Sequence, residues 1–208
     1  MQVGDVLNGR YEIEANLGHG GAAEVFRARD PLMQREVAVK AFSRTLLDST
    51  STAMQYATEL AMLGALEHPH ILPIYDTGVA GKIPYIVMRY ADRGTLHDEL
   101  AQGRPLLKRV SFVINQIARA LEYAHRHDMI HRDVKPHNIL IEESGDAYLG
   151  DFSLAILVAH QHGDTLKLTS GTAHYMSPEQ AAGEQLTPAT DVYSLAATLY
   201  EMLTLHHP

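Results

Sequence analysis

A change of hydrophobic period along the chain limits the fold more than any other feature. Up to about residue 90 the apolar residues mostly alternate, and beyond it they recur at helical spacing. Tyr11-Glu12-Ile13 leads to Leu17, a glycine cluster follows, and Glu24-Val25-Phe26-Arg27-Ala28-Arg29 alternates as a half-buried strand does. Asp30-Pro31 turns the chain, and Glu36-Val37-Ala38-Val39-Lys40 alternates again, which predicts a hairpin. A helix is predicted over 52–66, with Leu60, Leu63 and Leu66 on one stripe, Glu59 off it and His68-Pro69 as its stop. Ile71 to Tyr75 and Pro84 to Tyr90 read as two further strands separated by Gly78 and Gly81.

Past the polar joint Ala91-Asp92-Arg93-Gly94 the pattern is helical. Lys108 to Arg126 carries Val110, Val113, Ile114, Ile117, Leu121 and Ala124; Asp191 to Leu205 carries Val192, Leu195, Leu199 and Leu203. Short strands are predicted at 138–141 and 147–149, followed by a loop rich in Gly, Thr and His. The expected class is α+β: a small antiparallel β lobe with one helix over 1–88, a hinge over 89–94 and a mainly helical lobe over 95–208.

Composition excludes some chemistry. With 17 Lys and Arg against 25 Asp and Glu the net charge is −8, which argues against nucleic acid or an anionic membrane as the main partner. Nucleotide binding needs only local positive charge. There is no cysteine, so disulfides and thiol catalysis are ruled out. No signal peptide and no run of about 18 apolar residues is visible, so this segment is expected to be cytoplasmic and free of membrane contact. Thirteen histidines include the pairs His68/His70, His125/His127, His160/His162 and His206/His207. No third ligand stands at metal-binding spacing beside them, and they read as surface or packing residues.

Three stretches carry chemistry. In Leu17-Gly18-His19-Gly20-Gly21-Ala22-Ala23-Glu24-Val25 the glycines permit close backbone approach to a phosphate. A strand follows them, which fits neither the dinucleotide fingerprint nor the strand–loop–helix phosphate loop. Lys40 ends an alternating apolar strand, where it either snorkels outward or meets phosphate and carboxylate, Glu59 being the natural partner. Finally, Ile130-His131-Arg132-Asp133-Val134-Lys135-Pro136-His137-Asn138-Ile139-Leu140 gathers a proton acceptor, cations and an amide oxygen between two apolar segments. Tyr148-Leu149-Gly150-Asp151-Phe152-Ser153 then sets an acid at a strand end beside an aromatic ring.

These motifs, in this order, closely resemble the protein kinase family from residue 11 to 208, and bacterial members most of all. The resemblance implies a bilobal kinase fold and the roles that follow. Gly18 and Gly20 match the first two glycines of the phosphate-covering loop, with His19 and Gly21 beside them and Ala23 in place of the third. Lys40 matches the lysine of the α- and β-phosphates, and Glu59 the glutamate that positions it. Asp133 matches the acceptor of the substrate hydroxyl proton; Asn138 and Asp151 match the ligands of Mg²⁺, with Mn²⁺ as the alternative ion. Adenine is expected against Leu17, Val25, Ala38 and Leu140, with Met88 as gatekeeper and the Ala91 N–H at the hinge. Lys135, matching a lysine that approaches the γ-phosphate, and Gly171-Thr172 point to the serine/threonine branch. Asp191 resembles the aspartate that braces the catalytic loop.

The implied activity is transfer of the ATP γ-phosphoryl group to Ser or Thr hydroxyls of protein substrates in signalling. Arg132 would pair with a phosphate on Thr165 or Thr169, and Thr172 would hydrogen-bond near Asp133. The alternative is a nucleotide-binding pseudokinase scaffold or an inactive fragment, and dimerisation is left open. Two departures stand out. Ser153 replaces the glycine that follows Asp-Phe in the family. Family members also continue past His206-His207-Pro208, with helices that include an arginine for Glu179. The piece is therefore expected to be C-terminally truncated, and poorly soluble or inactive alone, with any membrane anchor beyond residue 208.

Overall fold

The alternating segments of the first ninety residues become strands of one sheet. A computed structural model describes residues 1–19, 23–42, 64, 66–81, 83–152 and 173–207. The helix expected over 52–66, with Glu59, lies almost wholly outside them. The chain divides into two units, Met1–Glu67 with Pro73–Tyr90, and His68–Leu72 with Ala91–Pro208.

In the first unit β1 (Val6–Leu7), β2 (Tyr11–His19), β3 (Ala23–Asp30), β4 (Arg35–Phe42), β5 (Ile74–Ala80) and β6 (Ile83–Arg89) form an antiparallel sheet in the order β1-β2-β3-β4-β6-β5. Period-two alternation puts Tyr11, Ile13, Phe26, Ala28, Val37, Val39, Tyr85 and Val87 in one buried cluster. Phe26, Val39 and Val87 are direct cross-strand neighbours in it. Asp30 is completely buried, which its ion pair permits: Arg10 donates to both its oxygens, from Nε at 2.8 Å and Nη2 at 2.6 Å.

The strand expected at 71–75 starts later and runs straight through Gly78. Gly78 lies opposite Tyr85, and a Cβ there would fall 2.5 Å from the Tyr85 hydroxyl. The glycine makes room for a ring inside a strand; it does not break the strand. Residues 68–72 pair elsewhere. In the second unit the Leu72 N–H donates to Leu149 O and the Leu149 N–H to His70 O, so Ile71 runs parallel beside a hairpin of β7 (Ile139–Ile141) and β8 (Ala147–Leu149).

The second unit is mainly helical. α1 (Leu96–Ala101) starts on a capping box in which Thr95 and Asp98 satisfy each other's backbone N–H groups. α2 (Leu107–Arg126) buries Val110, Val113, Ile117, Leu121 and Ala124 of the predicted stripe, with Ala120 beside them and Ile114 half-buried. Gln116 stands on the same stripe and is buried because both ends of its amide are used. Its nitrogen donates to Asp146 at 2.7 Å and its oxygen accepts from the Ala147 N–H at 2.9 Å. α3 (Pro178–Ala182) has a Ser177–Gln180 capping box and ends on Gly183 at φ 69°.

α4 (Pro188–Thr204) turns a different face inward from the apolar one expected. Val192 is 60% exposed, and Tyr193, Tyr200 and Leu203 are exposed too, while Asp191, Ser194, Thr198, Glu201 and Met202 are buried. Each buried polar group has a partner. Ser194 Oγ donates to Tyr175 O at 2.8 Å, Thr198 Oγ1 donates to Ser194 O, and Glu201 accepts from the Tyr175 hydroxyl. Among the described residues no helix is long and apolar enough to cross a membrane.

Candidate active site

In the sheet unit, strand register sorts the candidate nucleotide-binding residues. Gly18 lies opposite Val25, Val25 opposite Lys40, and Lys40 opposite Ile86, so they form one row across four strands. Ala38 and Met88 face each other in the row two residues along, hence on the same side. Leu17, 47% exposed, sits where β2 slips register between Asn16 and Gly18. The face bearing Val25, Ala38, Lys40 and Met88 is opposite the one that builds the core. The Lys40 ammonium stands 5.6 Å from the Phe42 ring centroid. Strand β2 includes His19, whereas Gly20, Gly21 and Glu59 lie outside the described residues.

The remaining candidates, Ala91 and Leu140 among them, belong to the second unit. Ala91 is buried and its carbonyl accepts from the Gly94 N–H. Leu140 packs so closely on Gly150 that a Cβ at Gly150 would meet its Cδ1 at 2.5 Å.

Around Asp133 the polar groups converge. One oxygen, Oδ2, is 2.8 Å from Lys135 Nζ and accepts from Asn138 Nδ2 at 2.8 Å. The same Asn138 nitrogen donates to the Asp133 backbone carbonyl at 2.7 Å, so the amide is oriented with its oxygen turned elsewhere. The other carboxylate oxygen, Oδ1, is buried and has no hydrogen-bond partner among the described residues. His131 is buried beneath the loop. Its Nε2 lies 2.8 Å from Gly150 O and its Nδ1 accepts from the Asp133 N–H at 3.2 Å. The proton therefore sits on Nε2. Phe152 packs edge-on against this ring at 4.5 Å.

Two residues here hold backbone conformations that side chains disfavour, Arg132 at φ 71° and Asp151 at φ 63°. Such strain costs about 1–3 kcal/mol per residue and persists only where the surroundings over-determine it. For Arg132 they do. Its N–H donates to Asp191 Oδ1 at 2.8 Å and its carbonyl accepts from Gln180 Nε2 at 2.8 Å. The wholly buried Asp191 also accepts, on Oδ2, from the His131 N–H at 2.8 Å and from His125 Nε2 at 2.7 Å. Burial holds the Arg132 guanidinium below its ordinary range, and its Nε is sealed without a partner among the described residues. Burial, then the bond to Glu201, pushes the Tyr175 phenol up.

Asp133, Lys135, Asn138 and Asp191 are thus brought together, while Asp151 lies next to the Gly150 carbonyl that holds His131. Thr165, Thr169, Thr172 and Ser153 lie outside the described residues. The Glu179 carboxylate accepts from Thr190 Oγ1 at 2.8 Å, and its own backbone N–H together with that hydroxyl hold it below the usual range. Sequence reasoning missed His125 and Gln180. His125 follows Leu121 by four residues on the buried stripe of α2, and a polar residue on an apolar stripe is the signal that finds it. Among the described residues no group of three or more His, Cys, Asp or Glu is arranged to hold a metal ion.

Comparison with known proteins adds to this geometry. The family described as protein kinase domain matches residues 11–208. A probable serine/threonine-protein kinase of Streptomyces coelicolor is 41% identical over 97% of this chain and 31% of its own length. Serine/threonine-protein kinase PknB of Mycolicibacterium smegmatis is 41% identical over 97% and 33%, and PrkC of Bacillus subtilis 36% over 98% and 32%. The chain thus spans about a third of the length of these relatives. The crystal structure of a point mutant of the Mycobacterium tuberculosis PknI kinase domain is similar with a TM-score of 0.77 and 26% identity, over all of this chain and 78% of that one.

Proposed function

Because the chain belongs to the protein kinase family, we propose that it is a serine/threonine protein kinase domain, transferring the γ-phosphoryl group of ATP to Ser or Thr hydroxyls of proteins. The observation that carries this reading is the Asp133 carboxylate. One oxygen is held by Lys135 and Asn138, and the other is buried without a donor among the described residues. A desolvated carboxylate fixed by one oxygen is suited to accept a hydroxyl proton on the other.

The residues present fit a divalent ion. Asp151 offers a carboxylate, and Asn138, its nitrogen committed to Asp133, offers an amide oxygen. One carboxylate and one amide suit Mg²⁺, which takes few protein oxygens and draws others from substrate phosphates, with Mn²⁺ as the alternative. When bound, the ion neutralises charge on the transferring group. Lys135 stands beside Asp133, placed to draw a phosphate oxygen towards the acceptor. The Arg132–Asp191 bonds keep Asp133 from swinging as the proton arrives. In the sheet unit, Lys40 supplies the cation for the α- and β-phosphates, and Val25, Ala38 and Met88 the apolar surface for adenine.

The half-buried Arg132 guanidinium, whose Nε has no partner among the described residues, supports activation by a phosphate on Thr165 or Thr169, since a partly desolvated cation gains from a fixed anion. Mass spectrometry of active protein is expected to find one of them modified.

The main test is phosphate transfer from ATP to a generic protein substrate, parent against Asp133→Asn. A loss of about a hundred-fold or more is expected. Transfer unaffected by the substitution overturns the assignment of Asp133.

A further inference from the structure

Two open clefts of the second unit lie outside the site described so far, and they share a wall. One, of about 600 Å³, has Arg93, Glu99, Arg109 and Gly145 in its lining. The other, of about 540 Å³, is bounded by Leu106, Lys108, Arg109 and Phe112 at the start of α2. Arg109 belongs to both and is firmly held. It donates to the two Glu99 oxygens at 2.9 and 2.7 Å, and to the Gly145 carbonyl.

The second cleft is apolar where it meets water. Leu106 is 81% exposed and Phe112 45%. Large apolar side chains left in water around a concavity mark contact with another molecule. Charge narrows the choice of molecule. Three cations, Arg93, Lys108 and Arg109, line the clefts against one carboxylate, Glu99, which pairs with Arg109. Arg93 and Lys108 are exposed and have no ion pair among the described residues. In the adjoining β7–β8 turn Asp146 accepts from Gln116 and Ser144, and Glu142 from the Tyr148 hydroxyl. None of that turn's carboxylates lines either cleft. A complementary ligand is therefore apolar and negatively charged. Concave clefts suit the side chains of an extended chain, whereas a bilayer surface is flat.

We propose that this groove docks an extended segment of protein substrates in which a bulky apolar side chain is flanked by acidic residues. The apolar side chain enters beside Leu106 and Phe112, and the carboxylates meet Lys108 and Arg93. This rests on the kinase reading and adds a recruitment site apart from the acceptor. The distance to the acceptor follows from α1. His97 faces the catalytic turn, where it stacks on His137, and Glu99, two residues on, points to the other side of the helix. Half the circumference of a helix about 10–12 Å wide is spanned by roughly five extended residues, so docking segment and acceptor must be at least that far apart.

Fluorescence anisotropy on the full chain tests docking without ATP, using fluorescein-labelled Gly–Ser peptides that carry a Leu flanked by Asp, by Ala or by Lys. The Asp peptide is expected to bind most tightly and the Lys peptide least. Replacing its Leu by Ser should weaken binding about ten-fold. The margin of Asp over Ala should be about two- to five-fold and should shrink at high salt, as it does for exposed ion pairs. Leu106→Asp and Lys108→Glu should each weaken the Asp peptide several-fold. Both changes suit the first turn of a helix, so thermal unfolding should be unchanged or raised. In transfer assays, a Thr peptide joined to the Asp–Leu segment by about ten Gly and Ser residues should exceed the Thr peptide alone in kcat/KM by about ten-fold. A linker of about two residues should give no gain. Failure of the Asp peptide to bind, equally tight binding of the Lys peptide, or full binding by both variants overturns the proposal and leaves the kinase reading intact. So does binding to phosphatidylserine vesicles with none to any peptide. Absence of transfer to every substrate overturns the kinase reading, and the recruitment role with it.

Discussion

Replacing Asp191 by Asn tests whether the catalytic loop is held from below by one buried carboxylate. Asp191 has no solvent exposure and accepts three hydrogen bonds, from the His131 and Arg132 N–H groups at 2.8 Å each and from His125 at 2.7 Å. An asparagine keeps one acceptor oxygen. Its best orientation turns that oxygen to His131 and His125 and leaves its NH₂ against the Arg132 N–H. One buried donor left unpaired costs about 1–3 kcal/mol, and the two surviving bonds lose the charged acceptor, about 1 kcal/mol each. The sum is about 3–5 kcal/mol, large against a usual domain stability of ~5–15 kcal/mol. It falls on Arg132, already strained at φ 71°, so the loop should relax and Asp133 should lose its position. Urea unfolding followed by circular dichroism reads the stability, and a transfer assay on the folded fraction is expected to drop more than tenfold. His125→Phe, which removes only one donor, should be milder on both counts. An Asp191→Asn protein within about 0.5 kcal/mol of the parent would refute the reasoning.

Other perturbations probe other parts of the fold. Gly78→Ala drives a Cβ to 2.5 Å from the hydroxyl of the buried Tyr85, and denaturant unfolding should show a loss of about 1–3 kcal/mol. The Asp30 carboxyl is held below its ordinary value, first by hydrogen bonding to Arg10. Its contribution is therefore complete above the unfolded value of about 4 and is lost as pH falls through the depressed folded value. Arg10→Met should be destabilised at neutral pH, and its deficit should shrink below about pH 4; a deficit constant across that window contradicts the pairing. Burial and then Asp76 push the Tyr11 phenol up, so its stabilising contribution is complete below about pH 10 and lost only as pH rises through the folded value. Ultraviolet titration should show Tyr11 ionising after the exposed tyrosines, and Asp76→Asn should bring it earlier.

Much of the fold was legible because it rests on period. The sheet of the first unit follows from alternation in Tyr11 to Lys40, and α2 from the spacing of Val110 to Ala124. The clustering of Asp133, Lys135 and Asn138 was legible because they lie within six residues, where one tight turn must bring them together. Long-range partners were less so. Gly78 looked like a strand break because its reason is a ring on the neighbouring strand, seven residues away in sequence. The inward face of α4 was misread because its apolar residues suggested the core, whereas its hydrogen bonds reach to Tyr175, His125 and His131. The stacked rings of His97 with His137 and of His174 with His207 join residues 40 and 33 positions apart, beyond any local pattern.

The polar inner face of α4 has a consequence for how the chain tolerates change. A helix seated by oily contacts can roll or slide with small losses, because dispersion has no preferred direction. One seated by Asp191, Ser194 and Glu201, which bond to His125, His131, Arg132 and Tyr175, has a single azimuth, since a turn of one residue breaks those bonds at once. Variation along α4 should therefore run opposite to the usual rule. Val192, Tyr193, Tyr200 and Leu203 should accept replacement within this chain, while the small hydrophilic positions beneath them should accept almost none.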